Sequence, residues 1–209
     1  MTAAAAQLMI ANLALAHLGL PQVETLALDD TTESARKLIP FLAPARDLVL
    51  ARHGWRRAMT YATLPDSGEA GDWRFAYVHH LDAGALRVFE VDQTCGPVMW
   101  QAGSRDQAGE ERLVVRANST PVKVAYVRRL GWDGLPVHIY EPIACLAASR
   151  GALAIQGDEQ KKQALAREYE RLLAAAVAQD GTEGGRGSPV IQGRLAAARR
   201  GVVDGRPWG

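Results

Sequence analysis

Two cysteines and five histidines are the side chains of this 209-residue chain best suited to chemistry near neutral pH. The first chemistry they suggest is attack by a thiolate with imidazole as base. A thiol needs a neighbouring base or cation to ionise, and neither Cys95 nor Cys145 stands in a recognisable nucleophile context. Cys145 falls among small residues of a predicted helix, where a free cysteine behaves as a small buried hydrophobe. Cys95 is expected in a turn. The two form neither a CxxC pair nor a disulfide framework, which suits a reducing compartment and cytosolic assembly.

The histidines give no site either. His79 and His80 are adjacent, and adjacent residues of a strand point to opposite faces, so the pair cannot close a metal site unaided. They are expected at a strand end near solvent. His17 is expected in a core or interface, His53 at a helix C-terminus where a cation is favourable, and His138 carries no signal. Neither GxxxxGK[ST] nor GxGxxG occurs, and Asp29-Asp30 and Glu110-Glu111 read as caps or loop acids. No catalytic residue, metal ligand or cofactor is therefore expected, and a cysteine-dependent hydrolase is the weakest alternative.

Arginines pose a different question. Arg56-Arg57 and Arg128-Arg129 are small basic clusters, and the stretch from Gly181 to Gly209 holds Arg186, Arg194, Arg199, Arg200 and Arg206 against only Glu183 and Asp204. The formal charge of the whole chain is only +1, so the body before that stretch is mildly acidic. Phosphate attraction needs a dense basic face, which leaves a weak DNA-binding accessory role as the second alternative. The same stretch has eight of the chain's twenty glycines together with Val190, Ile191, Leu195, Val202, Val203 and Pro207-Trp208. Flexible, charged backbone argues for an extension, whereas the apolar side chains argue for a partner that covers them. Ile191, Leu195, Arg199, Arg200, Arg206 and Trp208 are the candidate contacts.

The elements that must carry these residues change period along the chain. Ala3 to Leu18 reads as a helix apolar on most of its circumference, stopped by Gly19-Leu20-Pro21. Its apolar run lacks a preceding Lys or Arg and is too short to span a bilayer, so neither an export signal nor a membrane partner is expected. A second helix is expected to start at Asp30, with Glu33 three positions on, and to end near His53-Gly54. Pro40 and Pro44 predict a kink or a division into two helices. From Trp73 to Arg129 the period is two: Trp73, Phe75 and Tyr77 form one expected strand, and Val122, Val124 and Tyr126 another. Leu86 to Val91, Val98 to Gln101 and Arg112 to Arg116 fill the interval, with a loop from Gly103 to Gly109. Helical spacing returns through Ala154 and, after Gly157, from Asp158 to about Gln179.

The expected fold is α+β: a helical bundle from N- and C-terminal helices, interrupted by an antiparallel β domain, a meander or small barrel, and followed by an extended C-terminal arm. The parts are residues 1–60, 61–134, 135–180 and 181–209.

Several stretches in this order resemble one family. Ala11-Asn12-Leu13-Ala14-Leu15-Ala16-His17-Leu18-Gly19, Ala35-Arg36-Lys37-Leu38 and Ala45-Arg46-Asp47-Leu48-Val49-Leu50-Ala51-Arg52-His53-Gly54-Trp55 resemble the opening of the tail tubular protein A family. These are the head-to-tail adaptors of short-tailed phages. Trp73 to Tyr77 followed by Leu86-Arg87-Val88 is similar to the family's β region, and Tyr169-Glu170 fits its later helices. The resemblance runs from Leu8 to Asp180, with Gly54 at a position often held by proline. It implies a non-enzymatic virion protein at the head-tail junction, assembled in the host cytoplasm as a ring of about twelve copies. Its implied partners are the portal protein, the tail nozzle protein and further copies of itself, with DNA only as passing cargo. It implies no cofactor.

Overall fold

The first helix, α1 (Ala3–Leu18), is capped by Thr2, whose hydroxyl accepts from the Ala5 amide, and closed by Gly19 in the left-handed region at φ 72°. The Leu20 amide then donates to the Leu15 carbonyl at 2.9 Å, a turn that only glycine adopts without strain. The computed structural model describes residues 1–92, 99–107 and 110–182.

Helix α2 (Glu33–Arg52) is capped two residues later than expected, by Thr32 in place of Asp30, and the Thr32 hydroxyl accepts from the Ala35 amide. Pro40 and Pro44 do not divide it. Both are exposed and one turn apart, on the solvent side where water can meet the carbonyls they leave unpaired. The opposite stripe of Leu38, Leu42, Ala45 and Val49 is buried, and that burial outweighs the lost hydrogen bonds.

Helix α3 (Tyr140–Gln156) is the axis of the bundle, with Ala144, Cys145, Ala147, Ala148, Ser149, Gly151 and Ala152 buried. Small residues let the neighbouring helices approach. A Cβ at Gly151 would press on Leu38 of α2 at 3.3 Å and on Ile155 of its own helix at 3.2 Å. After Gly157, the Asp158 carboxylate accepts from the Lys161 amide at 2.8 Å and starts α4 (Glu159–Thr182). This helix extends three residues beyond the expected end at Gln179, for reasons given below. Two α3 side chains donate to α4 carbonyls: Cys145 to Leu165 at 3.3 Å and Ser149 to Lys162 at 3.0 Å.

The β domain contains one strand the sequence pattern missed, β1 (Met59–Leu64). The others are β2 (Tyr77–His80), β3 (Ala85–Val91), β4 (Trp100–Gln107), β5 (Glu110–Ala117) and β6 (Val122–Arg128). They pair antiparallel as two three-stranded sheets, ordered β1-β6-β3 and β2-β5-β4, in place of one continuous meander. Val88, Val122, Val124 and Tyr126 of the first sheet share an apolar cluster with Val115 and Ala117 of the second. Gly103 lies inside β4, which pairs with β5 as far as Gln107 opposite Glu110, so the expected loop from Gly103 is largely strand. Trp73 and Phe75 are not in a strand, because the Asp72 carboxylate captures the amides of Arg74 and Phe75, both at 2.8 Å.

The helical bundle and the sheets meet at Asp47, whose carboxylate pairs with Arg46 at 2.9 Å and with Arg129 at 2.8 Å. Arg46 also lies over the Trp132 ring at 4.7 Å. Val127 turns away from the sandwich interior and into the helical core with Trp55 and Ala58. The first sheet is thus covered by helices at one end of its outer face.

His79 corrects the expectation of a solvent-exposed pair. It is fully buried and bridges the carbonyl oxygens of Pro65 at 2.8 Å and Ser119 at 3.2 Å. His80 faces the other way and pairs with Glu69 at 3.0 Å. No described helix is long and apolar enough to cross a membrane.

Candidate functional site at the root of the C-terminal segment

The apolar stripe of α4 runs Leu165, Tyr169, Leu173 and Ala176, and its next helical position is Asp180. Asp180 is buried with the stripe, its side chain only 6% exposed. A buried carboxylate is costly unless its environment compensates it. Two imidazoles stand beside it: His53 Nε2 lies 3.6 Å from one carboxylate oxygen and His138 Nε2 3.6 Å from the other. These are ion-pair distances longer than hydrogen bonds, and they attract fully when an imidazole carries its proton.

Each partner arrives from a different element. His53 is the C-cap of α2, and His138 sits in a short 3-10 turn, Val137–Ile139, that leads into α3. Trp55 holds both. Its ring meets His53 edge-on at 4.9 Å and His138 at 5.8 Å, and its Nε1 donates to the Val49 carbonyl at 2.9 Å. Arg56, next in the chain, donates to the Gly181 carbonyl at 3.1 Å and so occupies a backbone acceptor that the end of α4 leaves open. Thr182 donates back to the Gln179 carbonyl at 2.8 Å. Together these contacts carry α4 past Gln179 and fix the point from which residues 183–209 depart.

The predicted contacts Ile191, Leu195, Arg199, Arg200, Arg206 and Trp208 lie outside the described residues, as does Cys95. Of the residues singled out in the sequence, the site brings together His53, which caps the C-terminus of α2 as expected, and His138, which carries no signal of its own. Asp180 and Arg56 were missed in this role. The signal for Asp180 was present, since it continues the buried stripe at helical spacing.

The cluster brings two imidazoles and a carboxylate together at the end of α4. The thiol at Cys145 is elsewhere, buried in α3, and burial pushes it up from 9.0 to about 12. The folded state holds the proton more tightly, so the contribution is complete below pH 9.0 and is lost as pH rises through about 12. In a Cys95→Ser variant, Ellman's reagent near neutral pH is accordingly expected to leave Cys145 untouched in the folded protein and to modify it on unfolding; modification at the rate of a free thiol in that folded variant would contradict this. Among the described residues no group of three or more His, Cys, Asp or Glu is arranged to hold a metal ion.

The basic clusters are partly committed within the chain, Arg56 to the end of α4 and Arg129 to Asp47. Two open clefts lie on the β domain. One, of about 360 Å³, is lined by Tyr61, Thr63, Glu90, Asp92, Lys123 and Ala125. The smaller, of about 260 Å³, lies under the loop of Ala70, Gly71 and Asp72 against Arg116. No protein-family model matches the chain, and no curated protein is significantly similar to it.

Proposed function

We propose that this chain is a structural head-to-tail adaptor of a tailed phage or prophage, forming a ring that joins a portal to a tail nozzle and lets DNA pass. The observation that carries the reading is the pinned end of α4. Asp180 and Gly181 are held by His53, His138 and Arg56, so a basic segment with apolar side chains starts from a fixed point on a folded body. A protein that joins two assemblies must offer two different contact surfaces, and here the folded body supplies one and the basic, apolar-bearing sequence beyond Thr182 the other.

The resemblance set out above supplies the identity of the partners, and the helix pair, sheets, helix pair order is compatible with it. Of the alternatives, a hydrolase that uses Cys145 is disfavoured by the complete burial of that thiol in α3. DNA binding is disfavoured by the intramolecular use of Arg56 and Arg129.

Negative-stain images of the full chain mixed with its portal test the proposal. Rings of the chain capping the portal are the expected result. Portal particles that stay bare at saturating chain would refute it.

A further inference from the structure

The loop between β1 and β2 carries the most exposed large apolar side chain among the described residues, Trp73, at 94% exposure. Such a ring in water is an unfavourable arrangement unless a partner covers it. The turn beneath it is rigid. The Asp72 carboxylate accepts from the Arg74 and Phe75 amides, and the Asp72 amide donates to the Phe75 carbonyl at 2.8 Å. Those two amides hold the Asp72 carboxyl below the usual carboxylate range. A Cβ at Gly71 would collide with the carbonyl oxygens of Phe75 and Ala76, and the Phe75 ring is buried. Trp73 is therefore presented on a preformed turn, which lowers the ordering cost of an aromatic anchor.

The position of this turn decides what it can meet. The loop folds over the outer face of the β2-β5-β4 sheet, where Glu69 pairs with His80 and Asp72 with Arg116 at 3.8 Å. The larger cleft lies on the outer face of the other sheet, on the far side of the shared apolar cluster. Register places Tyr61 and Glu90 beside Ala125, and Thr63 beside Lys123, across that face. Tyr61 is 68% exposed at its rim. The cleft's charged residues are Glu90, Asp92 and Lys123; Lys123 pairs with Asp92 at 3.7 Å, so the acidic excess of the cleft rests on Glu90, while Arg74 stands next to Trp73. At about 360 Å³ the cleft is at the small end of ligand-sized pockets and has room for one aromatic side chain.

From this arrangement we propose that Trp73 of one copy seats in the Tyr61–Ala125 cleft of the next copy, with Arg74 facing Glu90. Knob and cleft lie on opposite faces of the sandwich, so the contact is head-to-tail and each copy offers both halves to different neighbours. Repetition about an axis closes such a contact into a ring. The number of copies and their arrangement on a portal rest on the adaptor reading above, whereas the contact itself does not.

The test places a benzophenone amino acid at position 73 of the full chain, mixed with an isotope-labelled second copy, in concentrated solution and again on portal. Irradiation is expected to join position 73 to peptides containing residues 61–63 or 123–125 of the other copy. Arg74→Glu should weaken this cross-link at least about 10-fold, as loss of a close charge pair does, and Arg74→Glu with Glu90→Arg should restore it. Trp73→Ala should weaken self-association by about 30-fold, the ~2 kcal/mol of a hot-spot tryptophan. No cross-link between copies in either setting, cross-links to other segments, or cross-links to portal alone would overturn the contact. Portal capping without this cross-link removes the contact and leaves the adaptor reading. The cross-link without portal capping does the reverse.

Discussion

Trp55→Ala is expected to lower the stability of the folded chain by about 3–5 kcal/mol, the range for truncating a buried aromatic residue. Trp55 is completely buried and is among the largest fully buried side chains of the core. Three separate losses combine. The cavity forfeits contacts with the helical core, the Val49 carbonyl loses the indole donor, and His53 and His138 lose the ring that separates and orients them. In a chain of this size the expected fall in melting temperature is roughly 10 °C, read by circular dichroism or calorimetry. Trp55→Phe keeps most of the packing and loses the donor, so its cost should be smaller, about 1–3 kcal/mol. Hydrogen exchange separates the local effect from the global one. Amides near Asp180 should gain exchange in Trp55→Ala beyond the general loss of protection, because His53 and His138 then no longer meet the carboxylate in fixed positions. An unchanged melting temperature for Trp55→Ala would remove Trp55 from its structural role.

Cutting the chain after Thr182 should have the opposite pattern: no loss of fold and a large loss of docking. The contacts among the described residues remain in such a variant, including Arg56 to Gly181 and the two histidines to Asp180. The melting temperature is therefore expected to stay within about 2 °C of the full chain, equivalent to less than ~1 kcal/mol. Affinity for portal, measured by co-sedimentation, should fall at least about 100-fold, or ~2.7 kcal/mol, as loss of two or more apolar anchors would produce. Within the removed segment, Trp208→Ala and Ile191→Ala should account for most of the loss. Undiminished co-sedimentation of the truncated chain would assign docking to the body. The place of the cut matters. A boundary at residue 180 would remove the Gly181 carbonyl that Arg56 holds and would fray α4 at its buried acid.

Much of the secondary structure was legible because it depends on neighbours in sequence. Gly19 and Gly157 stop helices through the left-handed backbone they allow, and Asp158 caps the next helix through its own side chain. The stripe of α4 and the alternation of β6 follow from burying one face. Failures came where a local signal met a competing contact. The prolines of α2 are breakers by themselves, yet both lie on the solvent side of a well-buried helix. Trp73-Arg74-Phe75-Ala76-Tyr77 alternates as a strand should, yet the Asp72 carboxylate takes the amides that a ladder would need.

The candidate site was harder to read, since its members are far apart in sequence. His53, Arg56, His138 and Asp180 are each unremarkable in their own segments, and Asn12, which interrupts the apolar pattern of α1, turns out to clamp Val23 through two 2.9 Å hydrogen bonds. By itself the sequence determined the helix pair, β insertion, helix pair order, the small-residue face that buries Cys145, and the basic, apolar-studded composition of residues 183–209. Those properties belong to spacing and composition, which the chain carries in any conformation. Only the tertiary structure decided that a buried acid ends α4 between two histidines, and that Trp73 and the Tyr61–Ala125 cleft stand on opposite faces of one sandwich. Both depend on which elements pack together, and burial fixes that packing through contacts between residues remote in the chain.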